Sequence, residues 1–357
     1  IRSFVNTYTE AFQRSNPDTK IVYLSYPDRQ FFNEIEEDSR LNLGPDLIII
    51  GNYSTEELLA RNLATTLPRK KYFNELYNSR IKSLAKTNND YTFAPWLIET
   101  QIACFNKTKI KTPPKTIEDL KILSASGKKI GLASSFQELI WSAGTQGAIT
   151  EFSALGSEKT VNTTFPAIKS WLQWLQVSAF YKNTYFDKDS RELVTKLKKN
   201  ELDWITCLGT QVDDLRTTMG QSLGVAALPN GTTSKASPFF RIIGFSLGKN
   251  SSPTQRTIAM KFITATVNEF AQRKLELDDK GILAANRNVA IPPESSKTLS
   301  AIHTSFYEQS QSYEKEWIGL VRYARKYPQI RKTLTDLING SVGASEALKI
   351  ITTPQTN

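Results

Sequence analysis

Carboxylates, side-chain amides and aromatic rings are the residues of this sequence whose chemistry stands out, while nucleophile and metal-ligand patterns are scarce. His303 is the only histidine of the chain. A histidine metal cluster is therefore excluded, and a Ser-His-Asp triad would depend on that one residue, which reads as a surface histidine in a polar helical stretch. There is no Gly-x-Ser-x-Gly elbow, no Walker A loop and no Gly-x-Gly-x-x-Gly, so the common hydrolase, nucleotide and dinucleotide signatures are missing. Glu99, Glu138, Asp213 and Asp214 could pair for glycoside hydrolysis. A carbohydrate-active enzyme using Glu99 and Glu138 is thus the enzymatic alternative to the main expectation, which is a protein that is not an enzyme and holds neither cofactor nor metal.

Alternating helix and strand signals must position these groups. Phe4, Tyr8 and Phe12 recur at the spacing of one helix face, and residues 21–24 read as a short buried strand. A polar helix over 29–41 leads through Gly44 and Pro45 into the apolar run 47–50, typical of a strand covered on both faces. Ser54 with Glu57, and Thr116 with Asp119, have the spacing of capping boxes. Strands are expected at 101–105, 129–133, 202–208, 225–228 and 242–247, with one helix over 136–152 that carries Trp141; helices dominate after Pro253. Such βα alternation implies a parallel or mixed sheet flanked by helices, whose ligands sit beyond the carboxyl ends of the strands, so residues 51–53 fall at a candidate site.

With 357 residues the chain is long enough for two domains, and 39% apolar with 22% charged residues is ordinary globular composition. No apolar run reaches the ~18 residues of a membrane span. A net charge of +10 admits nucleic acid, a membrane surface or an anionic ligand. Its lysines are scattered in small groups without interleaved aromatics, however, and read as solvated faces, with no nucleic acid as partner. Cys104 and Cys207 read as two buried free thiols, with one disulfide in an oxidising compartment as the alternative.

An ordered series of short matches then runs across nearly the whole chain. Gly44-Pro45-Asp46 before an apolar strand, APWLIETQIACFNK over 94–107, PPKTIEDL over 113–120, GVAALP over 224–229, GFSLGK beginning at Gly244, and SEALK over 345–349 are its members. Each is weak alone. In this order and spacing the chain resembles the extracellular solute-binding proteins of family 1, whose best-studied members bind maltose and other sugars for ABC importers. The resemblance implies an α/β type II periplasmic-binding-protein fold, two α/β lobes with a hinge and an interlobe ligand cleft. It divides the chain into residues 1–103 with 241–289 for the first lobe and 104–240 with 290–357 for the second. Apart from a small-molecule ligand, a sugar or polyol, it implies the transmembrane subunits of an ABC importer as partners. A monomer is expected, periplasmic or tethered outside the membrane, with its leader outside the numbered chain. The family opens with an apolar strand before its first helix, whereas this chain begins on that helix, so upstream residues are expected to have been removed.

Site residues carry over singly from the resemblance. Glu99 matches the carboxylate of the first crossing, Asn52 and Tyr53 the loop after the GPD strand, and Phe136, Gln137 and Glu138 a loop of the second lobe. Thr210 and Gln211 follow the strand DWITCLG, Gly244 opens its motif, and Tyr327 falls where some sugar binders present an aromatic. Trp96 and Trp141 read as core somewhat more readily than as ring platforms, while Tyr327 reads equally as packing and Glu99 equally as a cap or ion pair at the hinge. Carboxylates and side-chain amides can each engage two neighbouring hydroxyls, while Tyr and Trp faces cover the C–H side of a sugar ring. The expected ligand is a mono- or disaccharide or a glycosylated polyol. The loop after the GPD strand lacks the tryptophan and aspartate of the maltose binders, which argues against a maltodextrin. An anionic solute such as glycerol phosphate is the alternative that the basic charge admits.

Overall fold

A computed structural model of the chain describes residues 2–27, 30–157, 164–278, 281–289, 291–310 and 316–353. The Phe4 side chain and the expected helix start at Arg29 lie outside the described residues. The strands are β1 (Leu47–Gly51), β2 (Ala64–Thr65), β3 (Lys86–Thr87), β4 (Asp90–Tyr91), β5 (Ala94–Asn106), β6 (Ile130–Ala133), β7 (Thr184–Asp187), β8 (Trp204–Leu208), β9 (Leu223–Ala226), β10 (Phe240–Gly248) and β11 (Leu283–Ala284). Two compact units share the chain. The first is Ile1–Ile98, Arg241–Asp279 and Leu283–Ile291; the second is Glu99–Phe240, Lys280–Ile282 and Pro292–Asn357.

In the first unit β10 runs antiparallel to β1, with Ile50 opposite Gly244, and β11 pairs with the opening half of β5 at Leu97 and Ile98. The apolar run of β1 is half covered by Ile35, Leu58 and Leu63, and Ile48 and Ile50 are its fully buried members. Gly244 is obligatory for packing: a Cβ there would lie 2.2 Å from the Ala94 carbonyl oxygen. The helix Glu269–Asp278 buries Gln272 and Glu276, which take the N–H groups of Asn286 and Ala284 at 2.8 Å each and so tether the segment containing β11.

In the second unit the closing half of β5 runs antiparallel to β8, β8 runs parallel to β6, and β6 parallel to β7; β9 adds to β5. Every residue of β5 is buried, as expected for a strand with neighbours on both edges and both faces. The core below this sheet joins Phe105, Ile117, Leu132, Trp141 and Trp204. Thr116 and Asp119 form their capping box: the hydroxyl accepts the Asp119 N–H at 3.1 Å and the carboxylate accepts the Thr116 N–H at 2.9 Å.

Four local expectations need correction. Residues 21–24 belong to no ladder among the described residues, and Val22 and Leu24 are exposed; an apolar run without a neighbouring strand has nowhere to send its backbone hydrogen bonds except to water and side chains, as in the Ile21 N–H to Gln13 Oε1 bond at 2.7 Å. Ser54 does not cap its helix, because a 3₁₀ turn over Asn52–Ser54 already runs into the helix Thr55–Ala60 and gives Ser54 a helical backbone, whereas a capping residue must be extended. The helix expected over 136–152 is two, Phe136–Thr145 and Ala148–Gly156, divided where Gly147 turns left-handed at φ 73°. Cys104 and Cys207 are not free thiols but a disulfide, with Cα atoms 5.9 Å apart. In the antiparallel register Cys104 faces Ile205 and Ile102 faces Cys207, so the two cysteines point to one side of the sheet as diagonal neighbours within reach of each other.

Candidate functional site

The parallel strands of the second unit end together, and each feeds a helix. β6 leads through Ser135 to Phe136–Thr145, β7 through Asp189 to Ser190–Lys198, and β8 through a 3₁₀ turn at Gly209–Gln211 to Val212–Met219. Because β5 is antiparallel to β8 with Gln101 opposite Leu208, the stretch 99–101 lies at this same end of the sheet. Strand topology thus gathers Glu99 and three loops into one place, the carboxyl end at which open α/β sheets bind ligands.

Glu99 is buried there, and its Oε1 accepts a hydrogen bond from the Thr210 hydroxyl. Glu138 has both carboxylate oxygens engaged: Oε2 accepts from the Ser135 hydroxyl at 3.1 Å and Oε1 from the Ser190 N–H at 3.2 Å. Gln211 is likewise occupied, accepting from the Leu208 N–H at 2.8 Å and donating to the Ser190 hydroxyl at 3.1 Å. The amino ends of two of the three following helices, Phe136–Thr145 and Ser190–Lys198, are filled from within. Ser135 accepts the Glu138 N–H, and Asp189 accepts the N–H groups of Arg191 and Glu192, the Arg191 guanidinium and these amides holding its carboxyl below the usual carboxylate range. Lys196 pairs with Asp187 at 2.5 Å and Arg191 with Asp189 at 2.9 Å.

The other residues expected at a site have different settings. Gln137 is exposed on the first turn of its helix, beside the loop groups just described. Phe136 is buried against Phe152, Trp171 and Tyr323, and Tyr327 is stacked on Tyr323 with ring centres 4.7 Å apart. Trp141 lies in the core of the second unit against Trp174, and Trp96 in that of the first unit between Tyr8 and Phe245. In the first unit Asn52 accepts the Ile242 N–H at 2.9 Å on its Oδ1, and the half-buried Tyr53 follows it in the 3₁₀ turn at the carboxyl end of β1. Sequence reasoning missed Gln101, Ser135, Ser190 and Asp187. Alternation along β5 puts Gln101 on the face of Glu99 and was the one available signal for it; β7, short and half-buried, carries none that distinguishes Asp187.

The family model described as bacterial extracellular solute-binding protein matches residues 7–301. Among solved structures, the chain is similar to the GacH receptor of Streptomyces glaucescens GLA.O, which has been solved unliganded and in complex with acarbose and an acarbose homolog. The TM-score is 0.79 at 13% identity, covering 98% of this chain and 93% of that one. The two share a periplasmic-binding-protein fold. No curated protein matches the sequence.

Proposed function

Because the chain belongs to the bacterial extracellular solute-binding proteins, we propose that it is the substrate-binding component of an ABC importer that captures a neutral, hydroxyl-rich solute by hinge closure and releases it unchanged. The solute class is a mono- or disaccharide or a glycosylated polyol. The single observation that carries this reading is the balance of groups at the carboxyl end of β5–β8–β6–β7. Buried Glu99 brings a carboxylate acceptor to this end of the sheet, where Lys196 and Arg191 are paired with Asp187 and Asp189 and the amino ends of two helices are capped by Ser135 and Asp189. Such a wall accepts hydrogen bonds from hydroxyls and repels anions. The proposed contacts are Glu99, Thr210 and Gln137 in the second unit and Asn52 and Tyr53 in the first. Trp96, Trp141, Phe136, Tyr327 and Gly244 then act as packing, each within its own unit, and Glu138 and Gln211 as braces.

The receptor of similar fold whose complexes hold acarbose supports a sugar-like solute. A glycerol phosphate or similar anion is the second reading, favoured by the net charge of +10. Against an enzyme using Glu99 and Glu138 stands the full engagement of the Glu138 carboxylate by Ser135 and Ser190. A disulfide between buried cysteines supports a periplasmic or extracellular location, since such bonds persist in oxidising compartments.

Glu99→Gln keeps the shape of the side chain and removes its charge. Hydrogen bonds to a charged group are worth roughly 1.5–3 kcal/mol, so the variant is expected to bind the solute about ten-fold more weakly in a calorimetric titration while unfolding at an unaltered temperature. Unchanged affinity would remove Glu99 from the contacts; consumption of the solute by the wild type would replace the binding reading with catalysis.

A further inference from the structure

We infer that Gln101, not a ligand contact itself, is the positioning residue that ties the site loops of the second unit to the places where its chain enters and leaves. The inference rests on the site reading above. Gln101 is fully buried two residues after Glu99, where the chain enters this unit. Its Nε2 donates to the Glu138 carbonyl at 2.9 Å, and its Oε1 accepts the Phe239 N–H at 3.4 Å. The Gln101 N–H donates in turn to the Phe239 carbonyl at 2.8 Å, to which the Thr100 hydroxyl also donates at 3.2 Å. Phe239 is one residue before the last residue of this stretch of the unit, Phe240, which is itself stacked on Trp317.

From Gln101 the hydrogen bonds continue without a gap. Glu138 passes to Ser190 through its carboxylate, Ser190 to Gln211 through its hydroxyl, and Gln211 to Leu208 through its Oε1. One amide thereby joins β5, the segment before β10 and the loops after β6, β7 and β8. A buried amide has four hydrogen-bonding positions, and this one is aimed at two backbone groups on different segments. A displacement of 99–101 relative to 239 is therefore transmitted to the start of the helix Phe136–Thr145. A packed, hydrogen-bonded network moves between discrete arrangements instead of yielding gradually, so the loops follow the crossing segments together.

The experiment is amide hydrogen exchange on the whole, ligand-free protein, comparing the wild type with Gln101→Leu and Gln101→Glu. Leucine fills the space without bonding; glutamate, once ionised at alkaline pH, keeps an acceptor for the Phe239 N–H and has no proton to donate to the Glu138 carbonyl. The expected result is exchange roughly ten-fold faster at Phe239, Glu138 and Ser190 in Gln101→Leu. In Gln101→Glu the acceleration falls on Glu138 and Ser190 and spares Phe239. In both, the helix Ala344–Thr352 exchanges as in the wild type. Unchanged exchange at Ser190 in both variants overturns the inference, and so does equal acceleration of Ser190 and Ala344–Thr352, which would make Gln101 a general contributor to stability. If instead no sugar binds the wild type, the proposed solute class fails while this exchange pattern stands.

Discussion

Replacing Cys104 and Cys207 together with alanine is expected to lower the unfolding free energy by roughly 4 kcal/mol. The bond closes a loop across a sequence separation of 103 residues, and a cross-link of about that span is worth roughly 4.7 kcal/mol through the entropy it removes from the unfolded chain. Both cysteines are fully buried between β5 and β8, so the alanines also leave small gaps. The same two strands hold Glu99 against Thr210. Urea denaturation measures the effect: the double variant and the reduced wild type should share one midpoint, well below that of the oxidised wild type, and reductant should not move the variant further. Coincident midpoints for oxidised and reduced wild type would refute it.

The second large effect concerns Glu276 and is stabilising. Burial raises its pKa from the ordinary 4.5 to about 7, opposed by the hydrogen bond from the Ala284 N–H. A carboxyl with a raised pKa is accepted by the folded protein in its neutral form. Its contribution is therefore complete below pH 4.5, declines as pH rises, and is lost above about pH 7. The gap between the two values corresponds to roughly 3 kcal/mol. Glu276→Gln keeps an oxygen for the Ala284 N–H and cannot ionise. The variant should match the wild type at pH 4 and exceed its unfolding free energy by up to about 3 kcal/mol at pH 8. A constant difference between the two proteins across that range would show that Glu276 has the same pKa in the folded and the unfolded chain.

Much of the scaffold was legible because it is written locally. The run 47–50 and the Thr116–Asp119 box declare a strand and a helix start through residue types a few positions apart, and both form, although the strand is fully buried on one face and not on both as expected. Ser54–Glu57 has the same spacing and fails, since the preceding residues already turn helically and a cap depends on backbone conformation as well as on residue type. Residues 21–24 mislead for a related reason: apolar, branched residues suit a strand, but a strand exists only where a neighbour completes its ladder. The disulfide depends on β5 meeting β8 in one register, a long-range event invisible in the spacing of two cysteines. Of the candidate site, Glu99 and Thr210 were readable through family-like motifs, and the structure brings them into contact. Gln101 and Ser190 were not, because a buried amide and a loop serine acquire their roles from the segments that folding places around them.

The reading that the carboxyl end of the second unit's sheet accepts hydroxyls and rejects anions is tested most directly by a thermal-shift panel of neutral mono- and disaccharides, polyols and their phosphate esters, repeated at low and high salt. A ligand at 100 times its Kd stabilises the folded state by about 2.7 kcal/mol, while charge-driven binding weakens steeply as salt screens it. The account predicts a raised unfolding temperature with a neutral, hydroxyl-rich compound, equal at both salt concentrations and smaller for its phosphate ester. A shift produced only by the phosphate esters, and lost at high salt, would contradict it.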